Sequence, residues 1–340
     1  MKWLITGGAG FIGCNSAKRI MDTGDETVVF DNLSRRGTDV NLKWLKENGK
    51  FEFIKGDVRN FNQLKEVFKK HRDIDVVLHL AAQVAVTTSV ANPREDFETN
   101  ALGTFNVCEA VRQFNPDAVL LYASTNKVYG EMKDVKVREN KGRYEYADLP
   151  AGISESRVLD FHSPYGCSKG AADQYVLDYS RIYGLKTVSF RQSCIYGYHQ
   201  FGIEDQGWIA WFIICAVSGR GITIYGDGKQ IRDILFIDDL IDCYLKAVKK
   251  IDITNGNAYN IGGGPENTIS LLELIKLIEK MNGKKIRYKF SEWRPGDQKV
   301  FVCNIEKAKR DFGWFPKVKK EEGIELLYKW VRDNKSYFKK

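Results

Sequence analysis

The sequence has little histidine and no closely spaced cysteines. Four His and seven Cys are scattered over 340 residues. The cysteines are Cys14, Cys108, Cys167, Cys194, Cys215, Cys243 and Cys303, and no two are closer than 21 residues. Neither a CxxC pair nor an HxxxH pattern exists, so ligand spacing gives no support to a metal site and none is expected. An odd number of dispersed thiols points to free, mostly buried cysteines. Long apolar runs are absent too. The longest, Trp208 to Val217, is half of the ~20 residues a membrane-spanning helix needs. The N-terminal Met-Lys-Trp-Leu-Ile-Thr-Gly-Gly reaches glycine too soon for a secretory apolar segment. A soluble, cytoplasmic protein with no membrane partner is therefore expected. No repeat period or long linker interrupts the chain, and 43% hydrophobic with 28% charged residues excludes a disordered protein.

What is present is enough chain for one large domain or two ordinary ones. The first 125 residues alternate short apolar runs with helical periodicity. Lys2–Thr6, Glu26–Asp31, Phe51–Lys55, Val76–Leu80 and Ala118–Ala123 read as strands. Phe11–Thr23, Asn62–Lys70 and a long Arg94–Phe114 read as helices. Strands separated by helices imply a parallel sheet covered on both faces. Glu131–His162 is polar and reads as loop. Ser163-Pro164 then supplies an N-cap and a first-turn proline for a helix reaching Tyr183. Thr187–Gln192 is a further core strand. Beyond it, Ile222–Tyr225, Ile234–Ile237 and Lys285–Phe290 read as short strands, between helices Asp238–Lys250 and Ser270–Met281. The expected fold class is α/β: a Rossmann doubly wound parallel sheet with a smaller C-terminal α/β substrate-binding lobe. The expected division is 1–190 for the dinucleotide-binding domain and 191–340 for the second lobe, with segments interleaving across the boundary.

Glycines at 7, 10 and 13 stand between the first strand and the first helix. Amide groups and the dipole of a helix N-terminus there can hold a pyrophosphate, and glycine lets the backbone approach it closely. Asp31 closes the second strand, 18 residues past Gly13. A carboxylate at that place accepts from a ribose 2′-hydroxyl and repels a 2′-phosphate, which favours NAD. Arg35 and Arg36 argue mildly the other way. Asp57 after the third strand is placed to meet the adenine, and Leu80-Ala81-Ala82 after the fourth offers small side chains where a cofactor would pass.

Tyr165 and Lys169 lie four apart on the expected Ser-Pro helix, so one face carries both. An ammonium there favours phenolate over phenol and would let the tyrosine take a proton near neutral pH. Tyr129/Lys133 and Tyr225/Lys229 share the spacing but fall in a loop and a turn, where it aligns nothing. Ser124-Thr125 ends a parallel strand, where active-site groups gather, and a hydroxyl there could share a substrate proton with Tyr165.

Together these residues resemble the extended short-chain dehydrogenase/reductases, the NAD-dependent epimerase/dehydratase family. The likeness is carried by GGAGFIG at 7–13, Asp31-Asn32, Gly56-Asp57-Val58-Arg59, His79-Leu80-Ala81-Ala82 and Thr125 before Val128-Tyr129-Gly130. Tyr165/Lys169, Arg232-Asp233 before Ile237-Asp238-Asp239, and Arg294-Pro295-Gly296-Asp297 complete it. It spans nearly the whole chain. The resemblance implies bound NAD and a nucleotide-sugar substrate. The implied cofactor-binding residues are Gly7, Gly10, Phe11, Ile12, Gly13, Asp31, Asn32, Ser34, Arg35, Asp57, Val58, Leu80, Ala81, Ala82, Gln83, Asn100, Tyr165 and Lys169. Thr125, Tyr165 and Lys169 are implied for catalysis, and Ser124, Thr125, Asn126, Gln206, Trp208, Arg232 and Arg294 for the substrate, the two arginines near its phosphates. Family members pair subunits through their two long helices, which implies a homodimer or homotetramer.

Within the family, 4,6-dehydratases carry Asp-Glu after the active-site threonine. Here Asn126 and Lys127 stand there, and neither does carboxyl acid–base work. The segments 124–130, 160–175, 205–208 and 228–233 resemble instead the 2-epimerases of CDP-linked 3,6-dideoxyhexoses, enzymes of lipopolysaccharide O-antigen biosynthesis. A CDP-sugar is thus the favoured substrate. C4 epimerisation of a UDP- or GDP-hexose uses nearly the same residues and stays open, as do C2 epimerisation of another nucleotide sugar and a non-catalytic NAD-binding protein. Nucleic-acid binding is the remaining reading of the net charge of +8. Lysines interleave with acids, as in Lys317–Glu322, which is the pattern of a solvated mixed-sign surface, so no nucleic-acid partner is expected.

Overall fold

The computed structural model describes residues 1–294 and 296–338. Pro295 of the Arg-Pro-Gly-Asp motif lies outside the described residues. Seven strands form one parallel sheet: β1 (Lys2–Thr6), β2 (Glu26–Asp31), β3 (Glu52–Lys55), β4 (Val76–His79), β5 (Val119–Thr125), β6 (Lys186–Gln192) and β7 (Asn257–Ile261). Their spatial order is β7-β6-β5-β4-β1-β2-β3. The order reverses at β1, which pairs with β2 on one side and β4 on the other. A crevice opens beyond the carboxyl ends of the strands at such a switch point.

Side-chain alternation along each strand feeds two cores. Trp3 and Ile5 point into one, with Val29, Leu78, Leu121 and Phe190. Leu4 points into the other, with Val28, Val77, Leu120 and Tyr122. Burial on both faces explains why the strands read as continuous apolar runs.

Helices α1 (Phe11–Asp22), α2 (Thr38–Asn48) and α3 (Phe61–Lys70) link the first strands. The long helix expected over 94–114 is instead three pieces. A short α4 (Val86–Ala91) precedes α5 (Pro93–Phe97), a π-helical turn spans Glu98–Leu102, and α6 (Gly103–Phe114) follows. The wider π turn keeps the apolar face of α6 on the core while displaying Asn100 inward, where it is buried. Helix α7 (Ser163–Tyr183) starts where Ser-Pro placed it: the Ser163 hydroxyl accepts the Gly166 amide at 3.2 Å. It stops at Gly184, in the left-handed region.

The stretch expected to be loop at 131–162 contains an antiparallel hairpin, Val137–Asn140 with Arg143–Tyr146. Its first strand is exposed throughout and gave no apolar alternation. The hairpin is set by its turn, where Lys141 and Gly142 have φ of 50° and 79°, as a two-residue hairpin connection requires.

Beyond residue 190, Trp208–Ser218, Leu271–Asn282 and Lys320–Asp333 pack together beside short sheets, while Ile237–Lys249 packs on α1 and covers the main sheet. Trp208–Ser218 contains the longest apolar run, and it is a core helix buried on most sides. No helix among the described residues is long and apolar enough to cross a membrane. Strand β7 comes from beyond residue 190 yet completes the main sheet, in register with β6.

Candidate active site

A cavity of about 360 Å³ opens at the switch point. Most of its lining is the ends of strands and the loops after them. Gly7, Gly10, Phe11, Ile12 and Gly13 form the turn from β1 into α1. Asp31 ends β2 and Asn32, Ser34 and Arg35 follow it, while Asp57 and Val58 follow β3. Leu80, Ala81 and Ala82 follow β4, and Ser124, Thr125 and Asn126 end or follow β5. Tyr165 and Lys169 come from α7, and Gln206 and Trp208 close the cavity from the second lobe.

The glycines are required by contact. At Gly7, with φ +70°, a Cβ would lie 2.7 Å from the Ala81 nitrogen, so the loops after β1 and β4 touch through backbone. A Cβ on Gly13 would meet the Gly7 oxygen at 2.2 Å. The cradle is therefore open only to something approaching from the cavity side, as a pyrophosphate does at a helix N-terminus. Asp31 is buried, and its two oxygens accept the Ala9 and Leu33 amides at 3.0 and 2.7 Å. Burial pushes its carboxyl upward against those bonds. Asn32 donates to Asp57 at 3.1 Å, joining the loops after β2 and β3. Arg35 donates to Gln206, a bond between the two lobes across the mouth of the cavity.

Lys169 is buried, donates to the Ala123 carbonyl at 2.6 Å, and stands 4.3 Å from the centre of the Tyr122 ring. Burial lowers it to about 7, opposed by the Asp173 and Asp96 carboxylates. Burial pushes Tyr165 up to about 12, opposed by the Thr125 hydroxyl and the Arg35 guanidinium. Desolvation of the phenol outweighs both of these groups. His79, at the end of β4, is held between Thr6 at 2.6 Å and Thr104 at 3.0 Å, and burial lowers it to about 3, so it is a neutral bracing group.

Four residues expected at the site stand off the cavity surface. Asn100 accepts the Gln83 amide at 2.9 Å and donates back to the Gln83 carbonyl at 2.9 Å, behind the Leu80–Ala82 wall. Arg232 is bonded to Asp297 at 2.5 Å. Arg294 pairs with Asp205 at 2.9 Å and lies 4.0 Å from the centre of the Tyr225 ring. Conversely, Val84, Gln192 and Cys194 line the cavity and were not anticipated. Gln192 closes β6, so the strand-end rule that selected Thr125 would have found it.

Fold and cavity define an extended short-chain dehydrogenase/reductase. Residues 4–327 match the GDP-mannose 4,6 dehydratase family, and the chain belongs to it. It is 49% identical over 336 residues to CDP-paratose 2-epimerase of Salmonella typhi, covering 97% of this chain and 99% of that one. Among solved structures, UDP-glucose 4-epimerase of Thermus thermophilus in complex with NAD superposes with a TM-score of 0.81 at 31% identity, covering 98% of this chain and 99% of that one. UDP-glucuronic acid 4-epimerase from Bacillus cereus, in complex with UDP-glucuronic acid and NAD, superposes with a TM-score of 0.84 at 28% identity, covering 98% and 100%.

Proposed function

We propose that this protein is an NAD-dependent epimerase that inverts C2 of a CDP-3,6-dideoxyhexose, interconverting CDP-paratose and CDP-tyvelose. The carrying observation is that Thr125, Tyr165 and Lys169 share one cavity with the glycine turn and Asp31. The Gly7–Gly13 cradle and the buried Asp31 carboxylate fit NAD, with its pyrophosphate over the turn and the adenosine ribose at the end of β2. Bound there, the cofactor supplies a reversible hydride acceptor for the sugar carbon.

Tyr165 takes the C2 hydroxyl proton as C2 is oxidised to a ketone, and returns it after the sugar presents its other face. Thr125 hydrogen-bonds the same oxygen and shares the proton. Lys169 supplies the positive charge that favours the phenolate and holds the nicotinamide ribose. Arg232 and Arg294 exchange Asp297 and Asp205 for the substrate's phosphates. Gln206 and Trp208 close over the sugar and exclude water from the ketone. A homodimer or homotetramer in the cytoplasm accompanies this reading, with exposed Tyr175, Ile182 and Tyr183 of α7 available to a second copy.

The test is proton NMR of the purified protein with CDP-paratose deuterated at C2. CDP-tyvelose retaining the label is the expected product. Inversion at C4 of a UDP- or GDP-hexose, with CDP-paratose unchanged, would replace this reading by the 4-epimerase.

A further inference from the structure

Asp96, on α5, is completely buried. All three side chains that donate to it are neutral: the Ser168 hydroxyl, the Gln83 amide at 2.9 Å and the Asn100 amide at 3.1 Å. A buried carboxylate without a cation in contact is costly and calls for a reason. Ser168 sits between Tyr165 and Lys169 on α7, and its hydroxyl also bonds the Tyr165 carbonyl at 3.2 Å. Asn100 grips Gln83, next to the Leu80–Ala82 wall. Asp96 is thus the knot between the helix that carries the acid–base pair and the loop that walls the dinucleotide cavity.

Its charge also acts on that pair. Among the described residues, the groups acting on Lys169 are Asp173 on its own helix, Asp96 from α5, His79 from β4 and Tyr122 from β5, while Tyr165, one turn earlier on α7, feels Asp96 and, from the loop after β2, Arg35. His79 is neutral. Asp173 is engaged by Arg191 of β6 at 2.9 Å, both being buried. Asp96 is therefore the anion facing Lys169 that carries no counter-charge of its own.

We infer that Asp96 is a positioning residue of the reaction: gripped by Ser168 and Asn100, its buried carboxylate fixes α7 against the cavity wall and sets a negative charge against the residue that precedes Lys169. The inference rests on the acid–base roles proposed above for Tyr165 and Lys169. Removing a negative charge lowers the proton affinity of both groups at once. The tyrosine and lysine limbs of the pH–rate profile then move together toward lower pH, which loss of packing alone does not produce.

The experiment compares full-length wild type, Asp96→Asn and Ser168→Ala, with Asp96→Ser as a second neutral variant should the first not fold. Lys169 ionisation is read by competitive acylation across pH with peptide mass spectrometry, which needs no substrate. The neutral variants should acylate Lys169 at lower pH than wild type, and Ser168→Ala at the wild-type pH with reduced kcat. In epimerisation, the variant-to-wild-type rate ratio at pH 9 should fall about tenfold below the ratio at pH 6, the effect of about one pKa unit. An unmoved Lys169 midpoint in a folded neutral variant overturns the inference. Absence of C2 inversion by wild type overturns the functional reading instead, and leaves the acylation result to judge Asp96.

Discussion

Helix α1 starts so close to the end of β1 that a Cβ on Gly13 would lie 2.2 Å from the Gly7 carbonyl oxygen. Backbone cannot retreat from that contact without moving the helix off the sheet. Gly10 is different: a Cβ there meets only the Gly7 oxygen, at 3.1 Å, and faces the cavity. Gly13→Ala should therefore lower the melting temperature of the ligand-free protein as well as its NAD affinity. Gly10→Ala should leave the melting temperature near wild type and weaken NAD by about tenfold, or ~1.4 kcal/mol. Calorimetric titration beside thermal melts distinguishes the two, and equal melting losses would show that the turn is not the rigid part.

Tyr165 and Lys169 set opposing pH limits. Burial raises the phenol to about 12 and lowers the ammonium to about 7. A base must be deprotonated, so the rate should climb with pH as phenolate forms. The lysine must stay charged to favour that phenolate, so above about pH 7 its loss of a proton offsets the growing phenolate and the rate levels off, falling only once the phenol is fully ionised near 12. A flat-topped kcat profile is the expected result. Tyr165→Phe should cut kcat by about 10³-fold, the usual scale of a lost general base, while NAD affinity changes less than about threefold. Retained turnover in that variant would remove Tyr165 from the mechanism.

How much of this was legible in the sequence follows from the range of each signal. Strand burial on both faces and the Ser-Pro start of α7 are local, and both could be read directly. So could the glycine turn, because its spacing reflects contacts within a single strand-to-helix connection. The hairpin at 137–146 was not legible, since its first strand is exposed and only its two-residue turn specifies it. Asp96 was missed for the opposite reason. Its partners Gln83, Asn100 and Ser168 are 13, 4 and 72 residues away, and only Asn100 stands at a helical spacing from it. Arg232 and Arg294 carried a motif, yet side-chain pairing with Asp297 and Asp205 is a matter of tertiary placement.

The Arg191–Asp173 pair is the most deeply buried ion pair among the described residues, and it ties α7 to β6. Tyr129 and Ser189 complete its hydrogen bonding at 3.1 and 2.5 Å. Removing one partner strands the other charge in a low-dielectric core. Arg191→Ala should cost about 3–5 kcal/mol in urea unfolding. A loss under about 1 kcal/mol, the scale of an exposed pair, would mean that water reaches Asp173.

Asn126 and Lys127 decide against a dehydration that the family name would suggest. Eliminating water from a sugar needs a carboxyl acid and base beside the active-site threonine, and these two positions hold an amide and an ammonium. Burial, and after it the neighbouring Arg232 cation, lower the Lys127 amine. One amine can give or take a proton, but elimination needs an acid and a base together, and the amide of Asn126 is neither. Wild-type protein incubated with a nucleotide hexose that keeps its 6-hydroxyl should therefore give no 4-keto-6-deoxy product by NMR, even where the sugar binds and NAD is present. Appearance of that product would place acid–base chemistry at positions other than 126 and 127 and would withdraw the argument that separates this chain from the dehydratases.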